Sequence, residues 1–277
     1  MSSALDQLKR RAHQWDVAID STWETNGSVL AFGVRRRTRV VLKISKQSGD
    51  EWHSGDILRA FDGDGMVRVY ESDAGAVLLE QLDPGTELVE LVRQGKDETA
   101  IEILAQVMLQ TAHHTPPSHC PTVLDWARGF DRFLKMGDKQ IPSHLVSEAG
   151  ELYRRLGTSA GGTMLLHGDL HHYNVLFDSN RGWVAIDPKG VVGELEYEVG
   201  AILRNPVEQP DFVASTNIIE RRLRALTDVL HLDYRRALEW SFAQAVLSEI
   251  WDVEDGYPIA ANNPALKLAH AIRSLLD

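Results

Sequence analysis

A single cysteine, Cys120, occurs in 277 residues. No internal disulfide can form, and a reducing compartment, the cytoplasm, is the expected home. No apolar run approaches the roughly 20 residues that span a bilayer, so no membrane partner is expected. The opening Met1-Ser2-Ser3-Ala4-Leu5-Asp6 lacks a basic flank followed by an apolar block, so no secretory leader is expected there. Positive charge is also scarce. Lys and Arg number 29 against 40 Asp and Glu, a formal net charge of −11. Nucleic acid needs a basic footprint and is excluded as a general partner. Local basic runs exist, and Arg35-Arg36-Arg37-Thr38-Arg39 reads as a solvated hairpin tip. Repeats and low-complexity stretches are missing too, and nothing implies an obligate protein partner.

What remains is an ordinary globular composition, 43% hydrophobic and 25% charged. The length exceeds the size at which one core usually divides, which predicts two lobes. Leu5, Leu8, Ala12 and Trp15 share helical spacing behind a Ser3 cap. Residues 29–34 and 38–44 are β-branched and read as a hairpin around the arginine tip. Residues 50–61 read as a helix, and 66–71 and 76–82 as strands around the turn Ser72-Asp73-Ala74-Gly75. After Asp83-Pro84-Gly85 helical periodicity takes over at 87–95, 97–114, 123–136 and 143–157. A β region interrupts at 164–187, and helices resume from Ile218. In that tail Leu238, Phe242, Ala245 and Ile250 form one apolar stripe. The pattern predicts an α+β, bilobal chain: a β-rich N-lobe over 1–82 with one inserted helix, and an α-rich C-lobe over 83–277. The cleft between lobes is the expected ligand site.

The chemistry concentrates in His167-Gly168-Asp169-Leu170-His171-His172-Tyr173-Asn174 and in Ile186-Asp187-Pro188, each flanked by apolar strand-like segments. A carboxylate at Asp169 can accept a hydroxyl proton. The Asn174 carbonyl and the Asp187 carboxylate are hard oxygen ligands of the type Mg²⁺ prefers. Phosphoryl transfer requires that set, because its catalysis is mostly positioning and charge neutralisation. A lone Asp near a strand end is usually a turn former, but here residues, spacing and flanks agree. Adjacent histidines such as His171 and His172 point to opposite faces, so loop-bracing or cleft-lining roles are expected of them rather than a shared metal.

This segment, with the Gly193-Glu-Leu-Glu-Tyr-Glu-Val-Gly200 stretch, resembles the aminoglycoside phosphotransferase family and its aminoglycoside/hydroxyurea-type kinases, streptomycin 6-phosphotransferases among them. The resemblance implies an antiparallel, protein-kinase-like N-lobe and a helical C-lobe. It also implies ATP with Mg²⁺ as cofactors, GTP being the alternative nucleotide. By resemblance, Asp169 is the catalytic base, Asn174 and Asp187 bind magnesium, and His167 braces the loop. Lys43, inside the strand 40–44, suits the role of holding the α- and β-phosphates. Glu51 is its expected partner, with Asp50 or Asp56 as rivals. Thr25-Asn26-Gly27-Ser28 replaces the glycine-rich phosphate loop of protein kinases. Gly27 and Ser28 either reach a phosphate or form a plain turn. The Glu80 carbonyl and Leu82 amide are the expected adenine-reading hinge, or an ordinary connector. Gly168 stands where a phosphate-sensing arginine would be, and no activation segment follows Asp187. That pattern implies a constitutively active enzyme with a small acceptor.

For the acceptor pocket the candidates are Glu194, Glu249, Trp251 and Asp252. Carboxylates beside an aromatic suit a cationic, hydroxyl-rich ligand, although charge runs at helix ends are commonly solvated. Three further readings stay open. The same fold can serve an aminosugar, sugar or amino-alcohol metabolite. It can persist as a non-catalytic nucleotide-binding pseudokinase, which intact Lys43, Asp169, Asn174 and Asp187 oppose. A hydrolase is opposed by the lack of a Gly-x-Ser-x-Gly elbow.

Overall fold

The fold was analysed in a computed structural model that describes residues 3–46, 50–112, 114–260 and 262–277. Helix α1, Ala4–Gln14, opens with the expected Ser3 cap, in which Ser3 and Asp6 satisfy each other's backbone N–H groups. It packs on an antiparallel sheet of β1 (Ala18–Glu24), β2 (Ser28–Arg35), β3 (Thr38–Ser45), β4 (Val69–Asp73) and β5 (Ala76–Glu80). The spatial order is β1-β2-β3-β5-β4. The arginine tip joins β2 to β3 through Arg36 and Arg37, whose φ angles of 48° and 72° are those of a primed hairpin turn. Strand β1 was not foreseen. It is exposed along its whole length, so no buried face imposes an apolar alternation on it.

A 3-10 turn at Asp50–His53 leads into α2, Ser54–Ala60. Residues 66–68, expected to begin a strand, instead run beside Ala185, with which Met66 forms a parallel bridge. Then come a short strand β6 (Pro84–Glu87), α3 (Val89–Arg93), α4 (Asp97–Thr111), α5 (Val123–Trp126), α6 (Arg128–Met136) and α7 (Ser143–Thr158). Strand β7 is Met164–Leu166, and β8 (Val175–Asp178) pairs with β9 (Gly182–Ala185) as a hairpin. Strand β10, Val191–Gly193, returns to pair with β7. The chain ends in α8 (Val199–Leu203), α9 (Pro210–Val213), α10 (Thr216–Leu230), α11 (Tyr234–Glu254) and α12 (Pro264–Leu276).

Two apolar interiors result. One lies between α1 and the five-stranded sheet, around Leu8, Val40, Leu42 and Leu78. The larger fills the helical half, and it also takes in Ile57, Leu58 and Phe61 of α2 and Met66. So α2 precedes Leu82 in sequence yet packs with the helical half. A buried ion pair ties α4 to α10: Arg222, 1% exposed, is bonded to Asp97, with Nη2 to Oδ1 at 2.5 Å. Burial pushes the Asp97 carboxyl up, and the hydrogen bonds and charge of Arg222 overcome this and hold it below the ordinary value.

Candidate active site

The loop from β7 to β8 carries Asp169, and its shape rests on buried hydrogen bonds. His167, 1% exposed, donates from Nε2 to the Ile186 carbonyl at 2.8 Å and accepts at Nδ1 from the Asp169 N–H at 3.2 Å. Those partners require a neutral ring, and burial lowers its pKa in agreement. The ring thereby ties the Asp169 loop to the Asp187 turn. Gly168 has φ of +81°, and a Cβ there would meet Trp126 at 3.0 Å and Val191 at 3.1 Å. An arginine therefore has neither the conformation nor the space at this position. The Gly168 N–H donates to Glu198 at 2.6 Å. Burial pushes that carboxyl up to about 7.

Asp169 sits among cations. Arg204 Nη2 lies 2.5 Å from Oδ1, and Lys189 Nζ lies 3.4 Å from Oδ2. Burial would raise the carboxyl's pKa, but the Lys189 and Arg204 charges outweigh it and keep the group ionised. His171 stands 3.8 Å from Oδ2, and burial lowers its pKa to about 4, so it is neutral at pH 7. His172 points the other way, into the interior beside Asp97 and Arg222. Asn174 donates from Nδ2 to the Asp169 carbonyl at 3.0 Å. That bond fixes the amide and leaves its oxygen as the group able to serve as a ligand. Asp187, at φ of 59°, presents a half-exposed carboxylate and pairs with Lys43 from β3.

Lys43 and Asp187 line a cleft of about 550 Å³. Its walls include Gly27, Ser28, Glu80 and Leu82, four of the residues expected around the nucleotide. The turn ahead of β2 is held internally: Ser28 N–H donates to Thr25 Oγ1 at 3.0 Å and Lys46 N–H to the Gly27 carbonyl at 2.8 Å. The Glu80 side chain is committed elsewhere. It pairs with Arg181 of the β8–β9 turn and accepts the Arg68 N–H at 2.8 Å. The Glu80 N–H donates to the Arg68 carbonyl at 3.0 Å, so the group that remains to be assigned to a base is its carbonyl. The side chains of Glu51 and Asp50 lie outside the described residues. Asp56, the other rival partner for Lys43, is exposed and faces His53 and His119 instead.

Lys189 Nζ, beside Asp169, also stands 4.7 Å from the ring centroid of Trp251, which packs edge-on against Trp126. Glu249 is buried and accepts from Asn263, while Asp252 is exposed. Burial, then the neighbouring Asp252 charge, push Glu249 up to about 7, and Arg204 counteracts them. The Asp252 carboxyl is raised by burial, with Arg204 and Lys189 opposing. Glu249, Trp251 and Asp252 therefore gather around the same cations as Asp169. Glu194 does not join them. Its carboxylate is 5% exposed and is taken by Arg236 and the Trp240 indole N–H. This corrects its expected place in the acceptor pocket: the residue ties the start of the 3-10 turn Leu195–Glu198 to α11 through Arg236 and Trp240. Arg204 had no assigned role in sequence reasoning, and Glu198, one of the carboxylates after the Asp187 turn weighed for a cationic acceptor, holds the loop backbone instead. The signal available was an arginine and a glutamate inside otherwise apolar helical surroundings, Glu198-Val199-Gly200-Ala201-Ile202-Leu203-Arg204.

The whole fold superposes on solved kinases. The choline kinase LicA from Streptococcus pneumoniae matches with a TM-score of 0.65 at 15% identity, covering 99% of both chains. The class is thus the bilobal protein-kinase-like fold. The model of the aminoglycoside/hydroxyurea antibiotic resistance kinases matches residues 14–256. The chain belongs to that family and is a small-molecule phosphotransferase. It is 28% identical to a streptomycin 3''-kinase of Klebsiella pneumoniae, over 88% of this chain and 91% of the relative. It is also 28% identical to a streptomycin 6-kinase of Streptomyces glaucescens, over 94% and 86%.

Proposed function

We propose that the protein transfers the γ-phosphoryl group of ATP to a hydroxyl of a cationic aminoglycoside of the streptomycin type, in the cytoplasm. The observation that carries this reading is the placement of Asp169. His167 ties it to the turn of Asp187, which with Lys43 lines the nucleotide-sized cleft, and Lys189 contacts both its carboxylate and the Trp251 ring.

In this reading Asp169 receives the proton of the acceptor hydroxyl. The hydroxyl oxygen forms the new bond to phosphorus, and the bond from phosphorus to the bridging oxygen breaks, releasing ADP. Arg204 and Lys189 hold the base ionised and oriented, and His167 keeps its backbone in place. Lys43 holds the α- and β-phosphates. The Ile186 N–H donates to the Asn174 backbone carbonyl at 2.9 Å, which sets Asn174 beside the residue preceding Asp187. The Asn174 Oδ1 and the Asp187 carboxylate are hard oxygen donors of the kind that suits a magnesium ion. Such an ion neutralises phosphate charge when bound. Gly27 and Ser28 cover the phosphates, and the backbone of Glu80 and Leu82 reads the base.

The acceptor's cation is attributed to Glu249 and Asp252, with Trp251, whose ring carries Lys189, as an apolar wall beside them. Equal identity to a 3''-kinase and a 6-kinase favours neither hydroxyl. The test is an ADP-release screen with ATP and GTP against streptomycin, other aminoglycosides, aminosugars and amino alcohols, with the product mapped by phosphorus NMR. Asp169→Asn should abolish turnover and retain nucleotide binding. Near-normal turnover in that variant would remove Asp169 as the base. A neutral sugar as best acceptor would overturn the cationic reading.

A further inference from the structure

Among the described residues one group of side chains has metal-ligand geometry outside the site above. It comprises His53, Asp56 and His119, whose ligand atoms all lie within 4.8 Å of one another. Asp56 Oδ2 is 3.7 Å from His53 Nδ1 and 3.6 Å from His119 Nε2. These separations exceed a hydrogen bond. They are close to the roughly 3.3 Å between neighbouring ligands of a tetrahedral zinc ion with bonds of about 2.0 Å. The two imidazole rings are neighbours, with centroids 5.2 Å apart and planes inclined at 56°. We propose that His53, Asp56 and His119 bind a borderline transition-metal dication, with zinc(II) as the reference ion.

The donor set selects the metal class. Two imidazoles and one carboxylate suit zinc, cobalt(II), nickel or copper(II), whereas magnesium and calcium prefer oxygen alone. Three protein ligands leave a fourth position for water or a small anion. All three residues are exposed, so an ion can enter and the side chains can close the last few tenths of an ångström around it.

The placement gives such an ion a consequence. His53 closes the turn before α2, Asp56 lies in the first turn of α2, and His119 comes from the connection between α4 and α5. Ile57, the residue after Asp56, packs into the notch at Gly190, where a Cβ would lie 2.7 Å from it. Gly190 ends the turn that begins at Asp187. A bound ion therefore cross-links α2 to the helical half at the helix that backs the Asp187 turn. Metal binding should raise the melting temperature and slow amide exchange in α2.

The experiment uses the full-length, chelator-treated protein. Zinc is titrated by calorimetry, and cobalt(II) by its visible absorption, which distinguishes tetrahedral from octahedral coordination. The expected result is that wild type binds one more equivalent than either His53→Ala or His119→Ala, with a tetrahedral cobalt spectrum lost in both. Asp187→Ala should keep that equivalent, which separates this site from the phosphate end of the cleft. Cys120→Ser should keep it as well. Retention of the equivalent in either histidine variant overturns the proposal, as does its loss in Cys120→Ser or Asp187→Ala. Failure of wild type to bind either ion at this stoichiometry also overturns it. Because both histidines are exposed, circular dichroism of the variants should match wild type.

Discussion

Replacing Glu249 by Gln is the sharpest probe of the acceptor side. The substitution keeps size and shape, retains an oxygen for the Asn263 donor, and removes the charge. Burial and the Asp252 charge hold the Glu249 carboxyl at about 7, against an ordinary 4.5. A carboxyl raised in this way adds stability to the folded protein below its unfolded value, and that stability is lost as pH rises through about 7. A bound cation favours the ionised form, so acceptor affinity must improve over the same interval. Wild-type KM for the acceptor should therefore fall between pH 6 and pH 8 and then level off. Removing one partner of a desolvated charge pair costs about 2–5 kcal/mol. The low end applies because Asp252 beside it is open to solvent. Two kcal/mol is about thirtyfold in KM at pH 8, at about 1.4 kcal/mol per factor of ten. The variant should lose the pH dependence of KM, keep its KM for ATP, and be no less stable than wild type at pH 8. Glu198 is the necessary control, since burial places it at about 7 as well. It touches the loop backbone and not the acceptor, so Glu198→Gln should alter kcat. The assay is initial rates with acceptor and ATP varied separately from pH 6 to pH 8.5. An unchanged acceptor KM profile in Glu249→Gln would refute the assignment.

Three further outcomes are expected. Asn174→Ala and Asp187→Ala should raise the magnesium concentration needed for half-maximal rate and lower kcat; superimposable magnesium titrations would remove both from the metal. Lys43→Ala should raise KM for ATP and depress kcat far more than Lys46→Ala, because Lys46 pairs with exposed Glu24 at 2.7 Å; equal kinetics would take Lys43 out of the site. Asp97→Ala strands a fully buried guanidinium, which costs about 3–5 kcal/mol, and the melting temperature should fall by roughly 6–20 °C in a scanning calorimeter; a loss under about 2 °C would show that the pair is dispensable.

Much of the architecture was legible in the chain because local pattern and tertiary burial agree. The hairpin at 28–45, α1 with its Ser3 cap, and α7 follow the expected periodicities closely. Strand β1 failed because it has no buried face, and β6 because Pro84 and Gly85 read as a breaker while the strand is anchored by pairing with distant β8. The helix expected over 123–136 divides at Ala127 into α5 and α6, both packed on α7, with α6 also reaching α11. The loop from His167 to Asn174 was readable because its residues work through backbone bonds of fixed local spacing. Its partners were not. Arg204, Lys189 and Glu198 reach it across 20 to 35 positions of chain, and no short pattern marks them. Glu194 and Glu249 look alike in sequence, and only the fold commits one to Arg236 and Trp240 and gives the other a place beside the cations of the site.

The separate small interior under the five-stranded sheet has a consequence for how the molecule loosens. Eleven buried apolar residues hold α1 to that sheet, while α2 belongs to the other interior. The sheet is thus the less secured body, and it should open first when the protein is warmed or exchanged into heavy water. Such an opening carries Lys43 away from Asp187 while the loop of Asp169 keeps its bonds to His167 and Glu198. A nucleotide lying between the two bodies fastens the weaker to the stronger. In its presence the amides of β2 and β3 should come to exchange as slowly as those of α11.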